Sequence, residues 1–430
     1  ISTILNWADW PGKAGGFQGA IEMCNNNGSC RKLDGGVMCP SFRVTRDEKD
    51  STRGRANTLR LALSGQLGEE ALTSKHMSDT MSLCVSCKAC KRECPTGVDM
   101  SKMKIELTNL KTQKYGLNLH DKLIAYLPDY AKIASKIPSL FNLRDKIPGV
   151  AKLSEIFLDF TSKRPLPKWR KDFFKDDELP NSIILNSNKL PVIMFVDTFS
   201  RYFEPENIRS AIKVLKAAGY YPFLPSPKVS KKPLCCGRTY LSNGLIDKAK
   251  AEGELILKTF LPYLKDGIPV VGLEPSCILS FRDELPALIN DPNINLLKNN
   301  SFTFEELLSK QCDKLNFKKM NKKVLLHGHC HQKAFDAVKP IESVLGMIEG
   351  LKVETIDTSC CGMAGSFGYN KNTYDISLKM AKERLFPAIM KTKEDITVIA
   401  DGTSCRCQIK DGINRESVHV ARFLDKNIIY

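Results

Sequence analysis

Cys84-Val-Ser-Cys87-Lys-Ala-Cys90-Lys-Arg-Glu-Cys94-Pro95 decides how the amino-terminal part of this chain folds. The spacing C-x2-C-x2-C-x3-C-P lets one short loop present thiolates to an iron–sulfur cluster. A cubane needs one thiolate per iron, two intervening residues suit a tight turn, and the proline ends the loop. A structural zinc site or four unrelated thiols are the plainer readings, and the match of the whole run favours the 4Fe-4S cluster. In two-cluster ferredoxins the fourth cysteine of such a run serves the other cluster. A partner group is present in Cys24, Cys30 and Cys39, the last followed by Pro40. By the crossing rule Cys39 completes a set with Cys84, Cys87 and Cys90, while Cys94 joins Cys24 and Cys30. This second set is one thiolate short, so a non-cysteine fourth ligand, a three-iron cluster and buried inert thiols all stay open. Lys88, Lys91 and Arg92 flank the thiolates, either as charge that raises the cluster potential or as solvated surface.

The chain has 430 residues, enough for two or three domain cores. Its 16 cysteines, mostly in short groups, argue for metal binding in a reducing compartment rather than a disulfide framework. The cytoplasm is the expected location, with a peripheral position at the inner membrane face open. No apolar run approaches the roughly 18 residues of a membrane span. A formal charge of +16 would suit nucleic acid or anionic lipid, but aromatics do not interleave with the charges as stacking platforms require. We therefore expect no nucleic-acid partner and no integral membrane segment. The chain opens on Ile1, not methionine, and Trp7 to Phe17 reads as irregular connecting chain, so residues 1–23 are expected to be the remnant of an upstream domain or linker.

Residues 24–115 hold the first seven cysteines around a helix-like stretch, Thr52 to Leu67, and read as a helical 4Fe-4S ferredoxin-like domain. Residues 116–188 hold no cysteine. Leu123, Ile124, Leu127, Tyr130 and Ile133 recur three and four apart, and prolines punctuate the rest, as in a helical connector. The remainder reads as one motif written twice, over 189–315 and 316–430. The first copy runs strand Val192–Val196, helix Asn207–Ala218, strand Tyr221–Leu224, Cys235-Cys236-Gly237, helix Ile246–Phe260, strand Val270–Leu273 and Cys277. The second runs strand Val324–Leu326, Cys330, a helical stretch near Ile341–Leu345, strand Val353–Ile356, Cys360-Cys361-Gly362, helix Thr373–Leu385, strand Thr397–Ala400, then Cys405 and Cys407. Strands alternating with helices predict parallel α/β units whose ligands gather at strand carboxyl ends. The fold class expected is an α-helical ferredoxin-like domain followed by a duplicated α/β domain.

Adjacent cysteines diverge, so both reach one inorganic core only where the backbone bends sharply, and the following glycine permits the bend. Cys330, Cys360, Cys361, Cys405 and Cys407 supply five thiolates in the second copy, enough for a cluster or a mononuclear zinc or iron site. The first copy is poorer, with Cys235, Cys236 and Cys277 as metal candidates and Asp197 near the place corresponding to Cys330. His327, His329 and His331 surround Cys330 and read first as hydrogen-bonding loop residues. Cys312 stands alone and reads as an ordinary thiol.

Cys24–Arg60, Leu83–Met100, Cys235-Cys-Gly-Arg238, Gly272–Cys277, His327–Lys333, Cys360–Gly368 and Ser404–Ile409 together resemble the carboxyl-terminal half of large FAD- and iron–sulfur-binding oxidoreductases. These act on D-lactate or D-2-hydroxyglutarate, and the iron–sulfur subunit of glycolate oxidase is similar. The Cys-Cys-Gly (CCG) repeats also look like those of heterodisulfide reductase. The resemblance implies that a flavin takes a hydride from the substrate and its electrons leave singly through clusters toward a quinone or another carrier. No glycine-rich dinucleotide fingerprint occurs here, so FAD and substrate are expected on an upstream domain or a partner subunit, and no catalytic residue is assigned to this chain. Heterodisulfide-type thiol–disulfide reduction and a zinc-stapled basic nucleic-acid-binding protein are the rival readings.

Overall fold

The computed structural model describes residues 2–8, 15–183, 188–227, 232–311 and 314–429. Cys312 and the middle of the opening stretch, residues 9–14, lie outside them. Helices Gly16–Glu22, Pro40–Thr45, Thr52–Leu63, Lys75–Ser82, Ala89–Glu93 and Met100–Tyr115 build the amino-terminal module. Ser51 starts the third of these by accepting a hydrogen bond from the Gly54 amide at 2.9 Å, and the helix buries Arg55, Ala56, Leu59 and Ala62. Ahead of the module, Leu5 and Trp7 are buried, and the Trp7 indole donates to Glu106 at 2.9 Å.

The connector is helical over Leu119–Ala125, Leu127–Lys136, Pro138–Phe141 and Val150–Leu158, with Pro128 and Pro138 in first turns, where a missing amide hydrogen costs nothing. No described helix is long and apolar enough to cross a membrane.

Two four-stranded parallel sheets follow. The first comprises β1 (Leu190–Phe195), β2 (Tyr220–Phe223), β3 (Val270–Gly272) and β4 (Ser301–Thr303), in the order β2-β1-β3-β4. The second comprises β5 (Lys322–Leu326), β6 (Leu351–Thr355), β7 (Thr397–Ile399) and β8 (Ser417–Val418), in the order β6-β5-β7-β8. The edge strands β4 and β8 are absent from the sequence reading: three and two residues are too short to show an alternating pattern. Val192, Met194 and Val271 of the first sheet share one core with Val324, Leu326 and Ile399 of the second. Helices Pro205–Ala217 and Val420–Asn427 pack together within it.

Candidate metal centres

Cys39, Cys84, Cys87 and Cys90 line one small pocket, with Thr52, Arg55, Lys88 and Met100 among the residues of its wall. The chain wraps this space through left-handed backbone at Cys39, Ser86 and Lys88 (φ 47°, 49° and 61°). Residues with a β-carbon rarely adopt such angles unless the surroundings impose them, as in a loop bent around a centre. Cys39 Sγ accepts from the Thr52 amide at 3.1 Å. Burial pushes the Cys90 thiol up to about 12, and Cys87 also upward. These are neutral thiols that a metal would deprotonate on binding.

Cys24 has Cys30 and Cys94 as thiol neighbours, and this set gains no further cysteine of its own among the described residues. A hydrogen bond with Cys39 holds Cys30 down at about 6. Around the set stand Asn26 Oδ1, 4.0 Å from Cys24 Sγ, and Thr96 Oγ1, 3.3 Å from Cys94 Sγ.

In the second α/β unit Cys330 opens helix Cys330–Ala334, directly after the β5 turn. Four free thiols stand here in hydrogen-bonding succession, Cys330 with Cys360, Cys360 with Cys361, and Cys361 with Cys405. Cys87 of the first loop carries Cys330 and Cys360 as charge neighbours, so this group adjoins the amino-terminal cavity. Cys407 stands apart from this run of thiols. On helix Thr403–Ile413 it sits two residues past Cys405, about 200° further round, and bonds to Tyr369. In the first unit Cys236 and Cys277 lie 3.1 Å apart, with Cys235 alongside. Gly237 and Gly362 make the predicted bends, at φ 74° and 83°, and a β-carbon would meet Ala249 O at 3.0 Å in one and Ser377 O at 2.4 Å in the other.

Strand register and helix caps align the two units residue by residue. Asp197 and His329 both cap the helix after the first strand, and Thr303 and His419 the helix after the last. With these caps superposed Cys277 matches Cys405, and the shared Cys-Cys-Gly run pairs Cys235 and Cys236 with Cys360 and Cys361. Thr198, not Asp197, stands where Cys330 stands, and its hydroxyl lies 3.9 Å from Cys235 Sγ. Phe195 stands where His327 stands. Asp197 instead accepts from the Phe199 and Ser200 amides, both at 2.9 Å, and burial beside Glu274 raises its carboxyl to about 6.

The three histidines divide their roles. His329 Nδ1 accepts from the His331 amide at 3.1 Å as a cap, and His331 Nε2 lies 3.1 Å from Ser86 O of the cluster loop. His327 Nδ1 lies 3.0 Å from Thr358 Oγ1, while its buried Nε2 has no hydrogen-bond partner. In a second buried group, Glu305, Asp401 and His419, the last two are engaged by the chain while Glu305 Oε1 has no hydrogen-bond partner. Asp401 takes the Val420 amide and Gln332 Nε2, each at 3.0 Å, and His419 Nδ1 takes the Ala421 amide at 3.0 Å. That group ties strand ends together.

The basic residues of the cluster loop all pair with the α/β units, Lys88 buried and Lys91 and Arg92 partly exposed. Lys88, 1 % exposed, reaches Asp283 at 2.7 Å and Glu284 at 2.6 Å. Lys91 and Lys102 also reach Asp283, whose carboxyl is held well below the usual range by these three lysines against the cost of burial. Arg92 donates to Lys333 O at 3.0 Å. The cluster loop is thereby fastened to both α/β units.

Comparison with known proteins fits this geometry. Residues 20–98 match a 4Fe-4S dicluster domain, and residues 324–410 a cysteine-rich domain of the CCG type. It is 24 % identical to D-2-hydroxyglutarate dehydrogenase of Escherichia coli K12 across 92 % of its length, covering 42 % of that relative. One of the subunits of the anaerobic glycerol-3-phosphate dehydrogenase from the same organism is 26 % identical over 68 % of the chain and 73 % of its own length. A Bacillus subtilis protein named "Probable glycolate oxidase iron-sulfur subunit" is 22 % identical over 95 % and 94 %. The chain thus spans about two-fifths of the dehydrogenase and nearly all of the iron–sulfur subunit, and the resemblance carried by the motifs is met by these relatives.

Proposed function

We propose that this chain is the iron–sulfur electron-transfer portion of an FAD-linked D-2-hydroxyacid dehydrogenase, acting with D-lactate, D-2-hydroxyglutarate or glycolate. The flavin and the substrate are bound by another domain or subunit. One observation carries the reading: Cys87 lines the amino-terminal cavity and stands within electrostatic range of Cys330 and Cys360, where helix Ala89–Glu93 packs on helix Cys330–Ala334, so two sulfur-rich sites are neighbours. Cys39, Cys84, Cys87 and Cys90 would hold one 4Fe-4S cluster, and Cys24, Cys30 and Cys94 most of a second. Cys330, Cys360, Cys361 and Cys405 would hold the centre of the second unit. Bound clusters of this kind supply one-electron transfer, which a flavin that accepts a hydride needs in order to pass electrons on.

Residues 24–115 then form the cluster domain, 116–188 the connector, and 189–315 and 316–430 a duplicated CCG-type domain whose first repeat has lost part of its ligand set. The electron acceptor is a quinone or another carrier, reached from a peripheral position at the membrane face or in the cytoplasm. The burial of Cys360 and Cys361, each 3 % exposed, disfavours the rival disulfide-reducing role, which needs a substrate disulfide in contact with a thiol.

Anaerobically purified protein should be brown, contain iron and acid-labile sulfide, and show a paramagnetic signal after dithionite. Cys87→Ser should lose a reducible signal. Colourless protein with stoichiometric zinc overturns the proposal.

A further inference from the structure

His327 follows β5 directly and is 1 % exposed. One of its ring nitrogens is placed and the other is not. Nδ1 lies 3.0 Å from Thr358 Oγ1, which also accepts from Lys333 Nζ at 2.9 Å, and Lys333 donates again to Thr358 O at 2.5 Å. This pair of residues clamps the ring. Nε2, buried, makes no hydrogen bond, even to a sulfur. Yet a ring nitrogen of His327, Cys361 Sγ and Cys405 Sγ all lie within 4.8 Å of one another, and with Nδ1 engaged by Thr358 the open nitrogen is Nε2. Metal–nitrogen bonds of about 2.0–2.1 Å and metal–sulfur bonds of about 2.3 Å put such donors within reach of one metal atom. A buried polar atom left without a partner costs roughly 1–3 kcal/mol in a folded protein, so its persistence here points to something that occupies it.

The first α/β unit provides the internal comparison. It keeps the three thiols matching Cys360, Cys361 and Cys405, and replaces the other two positions, His327 by Phe195 and Cys330 by Thr198. Phenylalanine fills the same buried place, 1 % exposed, and leaves no orphaned atom there. The histidine is therefore not required by the packing of this strand end.

We propose that His327 Nε2 is a metal ligand, sharing one metal atom with Cys361 and Cys405, so that the centre of the second unit has mixed imidazole–thiolate coordination. The inference rests on the reading of that unit as a metal centre. With Nδ1–H given to Thr358, the Nε2 lone pair is free to bind, the arrangement in which an outer partner fixes a ligating imidazole. A neutral imidazole in place of a thiolate leaves the centre one negative charge poorer, which raises its reduction potential.

The test uses the full chain, purified anaerobically with its iron and labelled with 15N only in histidine. Pulsed electron paramagnetic resonance on the dithionite-reduced protein should show a 15N coupling of directly bound strength. His327→Cys should abolish that coupling, keep the iron, and lower the midpoint potential of the same signal. His327→Ala should abolish the coupling as well. Wild-type protein whose second-unit iron shows no histidine coupling, or a His327→Cys variant with unchanged signal and potential, overturns the inference while leaving the metal centre standing. Iron content that Cys361→Ser does not reduce removes the metal centre itself, and the inference with it.

Discussion

The two α/β units share strand order, register and helix caps but differ at the strand ends where ligands would gather. The second presents His327, Cys330, Cys360, Cys361 and Cys405 around one space, and the first Phe195, Thr198, Cys235, Cys236 and Cys277. The first unit keeps three buried thiols, with Cys236 and Cys277 3.1 Å apart, but lacks the histidine and the fourth thiol. The first unit has a different task, since its Asp283 and Glu284 anchor Lys88 of the cluster loop. A parallel sheet keeps its architecture from strand and helix packing, so a site at its carboxyl edge can be lost while the scaffold serves as a frame.

The sharpest way to break this comparison is to replace equivalent thiols. Cys361→Ser should remove the iron of the second unit outright, whereas Cys236→Ser should leave iron content unchanged; equal iron loss from both would make the units alike. Next in size, Lys88→Met should destabilise the chain by about 2 kcal/mol, read by denaturant unfolding, because it takes the one fully buried cation from Asp283 and Glu284, which keep only Lys91, Lys102 and Arg238. A loss below about 1 kcal/mol would deny the first unit its anchoring role.

The join between the units gives a pH-dependent effect of similar size. Burial works to raise the Glu204 carboxyl, but the Arg406 guanidinium at 2.8 Å and the Thr403 hydroxyl at 2.9 Å hold it at about 2. Its contribution is fully present above the unfolded value of about 4.3 and is lost as pH falls toward 2. Glu204→Gln should thus cost about 2 kcal/mol at neutral pH and flatten the stability curve between about pH 4 and 2. The smallest expected change is Thr198→Val, below about 1 kcal/mol in stability, since the hydroxyl makes only a long contact to Cys235. A loss of bound metal in that variant would show that the first unit keeps a working site.

Much of the fold and the thiol grouping was legible in the residues. The C-x2-C-x2-C-x3-C-P run together with Cys39 predicts the set that lines the amino-terminal cavity, because such a loop has few ways to turn its sulfurs inward. Both Cys-Cys-Gly bends were readable, since a left-handed position packed against a helix backbone admits only glycine. Asp197 is indeed near the ligand position, one residue before it: the cap and the ligand position are adjacent, and only strand register tells them apart. Cys407 escapes a spacing argument because two residues along a helix is most of the way to its opposite face. The histidine after β5 did carry a signal, a polar residue ending a buried apolar run, which a stricter accounting of buried polar atoms would have marked.

Local spacing alone determined that this chain gathers sulfur, where its loops bend, and that its second half is parallel α/β, because these follow from covalent reach and side-chain periodicity. Which thiols meet across the chain, which lysine is buried on which acids, and which imidazole nitrogen is left bare were decided only by the tertiary structure. Those outcomes depend on surfaces brought together from distant segments, such as Cys87 against Cys330 and Lys88 against Asp283, whose mutual geometry no local pattern encodes.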